Sequence, residues 1–207
     1  LNDNTSAISN GYGGFGAYAW FNDDSSTAGD VQEGNKRSNI PVYSTQFNTT
    51  YAFQEEQLGT GHAVVCGLNK CEESSTHCII LAGDCPLIQS ETLSDLINQH
   101  TSTGAAATLL TGTLPDAKSY GRIIRNNNQT ICAIQEAKDC SPEQLNITEF
   151  NSGIYCFDRE KLLESITKIQ TNNAQNEYYL TDIIEILYNE NHIISGHCIN
   201  TVYEVLG

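Results

Sequence analysis

The chain has 207 residues, 39% of them apolar and 17% charged, which suits one folded domain with an appendage and excludes a wholly disordered chain. Its formal net charge of −15, from 25 acidic against 10 basic residues, argues against nucleic acid as a partner, because phosphate backbones demand basic stripes. No run approaches the roughly 18 apolar residues of a membrane span and no basic, apolar leader opens the chain, so a soluble, cytoplasmic protein without a membrane partner is expected.

Residues 1–50 are rich in Gly, Ser, Asn and Asp and show no sustained apolar period. They read as an atypical N-terminal segment of unknown origin. Within them Gly11-Tyr12-Gly13-Gly14-Phe15-Gly16 fits G-x-G-x-x-G literally. A dinucleotide fingerprint needs a hydrophobic strand before it and a helix after it. Here the preceding residues are polar and Ala17 to Phe21 looks like a strand, so a loop is the expected reading. The chain holds no methionine, so residue 1 is not expected to be a natural start.

Residues 51–207 alternate apolar strands with amphipathic helices, the pattern of an α/β sheet domain. Gln54-Glu55-Glu56-Gln57-Leu58-Gly59-Thr60-Gly61-His62-Ala63 places two glutamines ahead of a glycine-bearing turn. Thr60 is expected to cap the following helix. Cys78 to Ala82 is a short continuous apolar run, hence a strand covered on both faces. It ends at Gly83-Asp84-Cys85-Pro86-Leu87. An aspartate at the carboxyl end of a buried strand lies where α/β sheets hold ligands, and its carboxylate suits Mg²⁺, while the same residue also fits a helix or turn cap.

Ser90 is expected to cap a helix carrying Leu93, Leu96 and Ile97 on one face. Ala105 to Thr111 follows as a buried strand. Gly121 to Arg125 and Thr130 to Gln135 flank Asn126-Asn127-Asn128-Gln129, a hairpin signal. Ser152 to Phe157 is another strand. Asp158 then caps a helix with Leu162, Leu163 and Ile166. Leu180 to Tyr188 reads as a helix and His192 to Ile199 as the last strand.

Four polar groups stand out in apolar surroundings: Tyr120-Gly121-Arg122, Glu136-Ala137-Lys138-Asp139, Asn151-Ser152-Gly153 and Glu177-Tyr178-Tyr179-Leu180-Thr181-Asp182. Each offers hydrogen-bonding groups at element ends, as sugar hydroxyls require; each taken singly also fits a turn or a cap. No Ser or His lies in a nucleophile elbow. Eight cysteines lack any C-x-x-C pair and several sit in apolar runs, so reduced, buried thiols are expected rather than disulfides or zinc. The sequons at Asn4, Asn48, Asn128 and Asn146 carry no weight in so Asn-rich a chain.

In order and spacing, Gln54–Val64, Ala82–Leu87, Tyr120–Arg125, Glu136–Asp139, Asn151–Tyr155, Asn172–Ile184 and the terminal Glu204-Val205-Leu206-Gly207 resemble the N-terminal uridylyltransferase domain of bacterial bifunctional N-acetylglucosamine-1-phosphate uridyltransferase/glucosamine-1-phosphate acetyltransferase enzymes. The resemblance covers about three quarters of the chain. It implies a Rossmann-like mixed sheet flanked by helices, the nucleotidyltransferase (glycosyltransferase A-like) fold. It implies a reaction of UTP with N-acetylglucosamine 1-phosphate that gives UDP-N-acetylglucosamine and pyrophosphate, in service of peptidoglycan and lipopolysaccharide synthesis. By position, Gln54 and Gln57 resemble uracil contacts, with Gly59 and Thr60 beside the nucleotide. Asp84 resembles the Mg²⁺ ligand. Gly121, Glu136, Asn151 and Tyr179 resemble amino-sugar contacts, with Thr181 close by.

Residues 1–50 carry no counterpart of the family's triphosphate-binding loop. The chain reaches Gly207 just before the asparagine that completes the family's metal site, and before the β-helix acetyltransferase domain through which full-length members are expected to form homotrimers. A nucleotide-sugar-binding domain without turnover is therefore the alternative function, and a related nucleotidyltransferase acting on another base or sugar is a third.

Overall fold

The structure, a computed structural model, describes residues 15–20, 52, 54–71, 75–83, 85 and 87–206. Among them seven strands run in chain order: β1 (Phe15–Trp20), β2 (His77–Ala82), β3 (Ala107–Thr113), β4 (Arg122–Arg125), β5 (Ile131–Gln135), β6 (Glu149–Asp158) and β7 (Ile194–Cys198). The four α-helices are α1 (Thr60–Leu68), α2 (Ser90–Thr103), α3 (Arg159–Ile166) and α4 (Asp182–Asn189). The strands form one sheet in the order β1-β2-β6-β3-β7, with β4 paired to β5 and β6. β1 runs parallel to β2, and β3 parallel to β7, while β6 is antiparallel to both of its central neighbours. This is the mixed sheet flanked by helices that the resemblance implies.

Alternation along the central strands builds two cores. Cys78 and Ile80 of β2 join Leu109, Tyr155 and Phe157 under α1, α3 and α4. Ile79 and Leu81 join Leu110, Ile154 and Cys156 under α2, whose Leu93, Leu96 and Ile97 supply the other half. Both faces of β2 are thus covered, which is why its sequence is an unbroken apolar run rather than an alternating one. Each such Leu or Ile contributes roughly 1.5–3 kcal/mol by leaving water.

Local signals placed most elements. Asp158 caps α3 as expected, its Oδ1 accepting from Lys161 N at 2.9 Å. The β4–β5 turn closes through Gln129 N to Asn126 O, and Asn126 Oδ1 accepts from Asn128 N and Thr130 N. Three expectations need correction. Ser90 is the first residue of α2, not its cap; Gln89 holds the cap position and makes no side-chain cap bond. Thr60 likewise opens α1 behind Gly59 and does not cap it, because its hydroxyl is bonded elsewhere. In α3, Leu162, Ser165 and Ile166 share the buried face, and Leu163, about 100° from Leu162, lies on the exposed side. Of the eight cysteines only Cys78, Cys85 and Cys156 are buried; the other five sit at helix, strand and turn positions that reach the surface, and among the described residues no disulfide forms.

Opposite the site described below, His100 of α2 is 1% exposed. Its Nδ1 lies 2.9 Å from Thr108 Oγ1, its ring stands edge-on to His77, and its Nε2 is buried without a hydrogen bond. Burial first, then the positive charge of His77, lowers its pKa to about 4, with Asp158 pulling the other way. The folded protein therefore keeps His100 neutral where the unfolded chain, at 6.5, takes up a proton. Stability from this group falls as pH drops from 6.5 toward 4, by about 3 kcal/mol in all. In urea unfolding at pH 7 and pH 4.5, the wild type should lose about 2 kcal/mol more than His100→Gln. Equal losses would assign the acid sensitivity to other groups.

Candidate functional site

Four segments that are distant in sequence converge at one edge of the sheet. The first is the turn entering α1. Gln54 Nε2 donates to Gly59 O at 3.2 Å and to His62 Nδ1 at 3.0 Å, which folds the glutamine back onto the turn. Both of its N–H groups are then engaged, and its carbonyl oxygen is the remaining acceptor. Gln57 is exposed. Gly59 adopts φ 108° and ψ 177°, a region essentially reserved for glycine. A Cβ there would stand 2.7 Å from Tyr178 O and 2.8 Å from Tyr178 N.

That close approach joins the turn to the second segment, residues 171–181. Tyr178 N donates to Leu58 O at 2.8 Å, and Gly61 N donates to Tyr178 O at 2.7 Å. Thr60 Oγ1 accepts from Leu180 N at 2.9 Å, which is why it does not cap α1. α4 starts at Asp182, two residues after the expected Leu180.

The third segment follows β5. Glu136 leaves the strand in an extended conformation and begins a short 3-10 turn over Ala137–Asp139. Thr181 Oγ1 donates to Glu136 Oε1 at 2.9 Å, so this turn also meets the 171–181 segment. Asp139 Oδ1 accepts from Ala174 N at 2.8 Å, and Lys138 Nζ donates to Gln175 Oε1.

The fourth is the start of β6. The β3–β6 register slips between Leu109 and Thr111, leaving extra residues on β6. Ser152 holds this bulge by donating its hydroxyl to Leu110 O at 2.6 Å, and bulges of this kind re-aim side chains beside sites. Asn151, just before it, donates from its backbone N to Gly121 O at 2.9 Å. Its side chain is 8% exposed, and its Nδ2 donates to Tyr155 Oη at 2.6 Å. Gly121 is small beside the acid: a Cβ there would lie 3.5 Å from Glu136 Oε2.

The electrostatics of this edge are acidic. Burial, opposed by the Thr181 hydrogen bond and aided by Asp139, raises the Glu136 pKa. Burial, then Glu136, Glu185 and Asp139, lifts Asp182 to about 6. Burial, then the charges of Asp139, Glu136 and Glu177, pushes the Tyr179 phenol up to about 12. Neutral hydroxyls that donate hydrogen bonds suit such a wall, and an anion arriving there needs a cation in company.

Gln54, Gly59, Thr60, Gly121, Glu136, Asn151, Tyr179 and Thr181 are therefore gathered at one edge, with Gln57 exposed on the same turn. Asp84 lies outside the described residues. Among the described residues no group of three or more His, Cys, Asp or Glu side chains stands together to hold a metal ion. Sequence reasoning did not single out His62, Asp139 or Asp182. Their signal was present only as membership in motifs whose other residues drew the reading.

With this geometry in place, similarity to known proteins becomes informative. The Nucleotidyl transferase family profile matches residues 25–198, and the chain belongs to this family. It is 48% identical over 143 residues to the Bifunctional protein GlmU of Clostridium kluyveri, covering 69% of this chain and 31% of that protein. It is 46% identical over 148 residues to the Clostridium botulinum (strain 657 / Type Ba4) protein of that name, with 72% and 32% covered. The Clostridium novyi protein is 44% identical over 158 residues, with 76% and 35% covered. The chain spans about a third of the length of these relatives.

Proposed function

We propose that this edge takes a uridine nucleotide on the 54–61 turn and the sugar of N-acetylglucosamine 1-phosphate on the wall formed by Gly121, Glu136, Asn151, Tyr179 and Thr181, and that the chain forms UDP-N-acetylglucosamine and pyrophosphate. The observation that carries this reading is the clasp between residues 58–61 and 178–180, which sets the glutamine-bearing turn against the acidic wall. Gln57 offers its amide and Gln54 its remaining carbonyl oxygen to a base edge. Glu136, through Oε2, and Thr181, whose hydrogen goes to Glu136 Oε1, both accept from sugar hydroxyls.

A phosphate oxygen of the sugar 1-phosphate attacks the α-phosphorus in line and pyrophosphate leaves. The protein's contribution is to hold the two reactants in that line and to balance their charge. Asp84, a hard oxygen donor, would hold Mg²⁺. The ion supplies charge neutralisation in a chain of net charge −15. A cytoplasmic site of action, a role in cell-wall precursor supply and trimerisation of full-length relatives through a β-helix belong to the same proposal. No helix among the described residues is long and apolar enough to cross a membrane.

The test is pyrophosphate release and UDP-N-acetylglucosamine formation from UTP, N-acetylglucosamine 1-phosphate and Mg²⁺. Asp84→Asn should lower the rate by roughly a hundredfold, the scale of removing a charge-stabilising group. Mg²⁺-dependent binding of UDP-N-acetylglucosamine should weaken as well. Product formed equally by the variant removes Asp84 from the metal site. Absence of both product and sugar-nucleotide binding in the wild type removes the proposal.

A further inference from the structure

Asp139 has a geometry that no substrate role accounts for. It closes the 3-10 turn that begins at Glu136, three residues from the acid. One carboxylate oxygen, Oδ1, accepts the Ala174 N–H at 2.8 Å. The other, Oδ2, is buried, and the Tyr179 phenol lies within hydrogen-bonding reach of the carboxylate and feels its charge. A buried carboxylate needs donors, and here both come from one segment, the Ala174 N–H and the Tyr179 phenol.

The segment it grips has a fixed internal shape. Asn173 Nδ2 donates to Glu177 O at 2.6 Å, and Asn173 Oδ1 accepts from both Gln175 N and Glu177 N. Beyond Glu177 the same segment is bonded to Leu58, Thr60 and Gly61. Residues 173–180 therefore form a strap with one end on the 136–139 turn and the other on the 58–61 turn. Asp139 is the acidic anchor at the first end.

We infer that Asp139 is a positioning residue: it fastens the strap to the 136–139 turn and holds the Tyr179 phenol beside Glu136, so that both groups meet the amino sugar in one arrangement. Its effect is exerted through Ala174 and Tyr179, without contact with the ligand. The inference rests on the proposed function for the identity of that ligand. It expects the sugar half of the site to depend on Asp139 and the nucleotide half to remain, because Gln54 keeps its own bonds to Gly59 and His62.

The experiment is calorimetric titration of UDP and UDP-N-acetylglucosamine against wild type, Asp139→Ala, Asp139→Asn and Ala174→Pro, together with amide exchange at residue 174. Asp139→Ala should weaken the sugar nucleotide roughly tenfold and UDP no more than about twofold, in keeping with loss of a charge-assisted hydrogen bond. Asparagine keeps an acceptor for the Ala174 N–H and should recover most of the loss. Ala174→Pro removes the donor from the other side, so it repeats the selective loss even if the alanine variant folds poorly. Exchange at Ala174 should quicken at least tenfold in Asp139→Ala and stay slow in Asp139→Asn. Wild-type affinity in Asp139→Ala or Ala174→Pro overturns the inference, as does equal loss of both ligands without rescue by asparagine. If the wild type itself fails to bind the sugar nucleotide, the proposed function falls, and the exchange result alone decides whether Asp139 holds the strap.

Discussion

Gly59→Ala should separate the glutamine-bearing turn from the 171–181 segment and weaken UDP binding at least tenfold. The backbone at Gly59 sits at φ 108°, ψ 177°. A residue with a Cβ is strained there by roughly 1–3 kcal/mol. The new Cβ would also fall 2.7 Å from Tyr178 O, a backbone atom that cannot swing aside like a side-chain tip. Relief requires moving the two turns apart, at a further cost of roughly 1–3 kcal/mol. That movement breaks the bonds of Tyr178 N to Leu58 O and of Gly61 N to Tyr178 O. Calorimetric titration with UDP and a thermal melt check the expectation. Unchanged affinity together with an unchanged melting temperature would show that the clasp does not shape the nucleotide turn.

Arg122→Met should cost about 3–5 kcal/mol of stability, because it leaves several buried carbonyls unpaired at about 1–3 kcal/mol each. The guanidinium is 2% exposed and is enclosed by backbone. It donates to Tyr120 O, to Lys118 O at 3.2 Å, to Leu145 O at 3.4 Å and to Ala117 O at 3.5 Å. Methionine fills much of the volume but donates nothing, so these carbonyls lose the partner that holds the 117–122 turn together. Lysine would not substitute, because a point charge cannot match the fork of donors. At roughly 2–4 °C per kcal/mol for a domain of this size, the melting temperature should fall by about 10 °C. A fall of less than about 2 °C would show that the turn is held by its apolar contacts instead. The adjacent Gly121 accepts the Asn151 backbone N–H, so loosening this turn should also weaken the sugar nucleotide more than UDP.

Local rules carried the reading of the fold where the deciding contacts are local. β2 was legible because a strand covered on both faces is a short unbroken apolar run. The β4–β5 hairpin was legible from its asparagine turn, and the start of α3 from Asp158. Thr60 was misread as a cap because its actual partner, Leu180 N, lies 120 residues away. The extra length of β6 was missed for the same kind of reason: Glu149 and Phe150 look like loop residues until β3 and β4 are laid beside them. Within the candidate site, Glu136 and Asn151 were legible as polar residues at element ends. Asp139 was not, since its significance comes from Ala174, whose sequence carries no signal at all. The bulge that turns Asn151 is a register event between two strands, and nothing in Asn151-Ser152-Gly153 alone announces it.

The long reach of the clasp governs when the site comes into being. Proteins whose contacts join distant residues fold more slowly than those built from neighbours, because the chain must close large loops before any contact rewards it. Here β2 can begin to pair with β6 only once residue 155 is available, and the glutamine turn can meet its partner only once residue 178 is. The sugar wall at Gly121, Glu136 and Asn151 closes smaller loops than the clasp does. During synthesis the Gly121, Glu136 and Asn151 part can therefore assemble first, while Tyr179 and Thr181 reach it only when the 54–61 turn finds its own mate, more than a hundred residues after that turn is made.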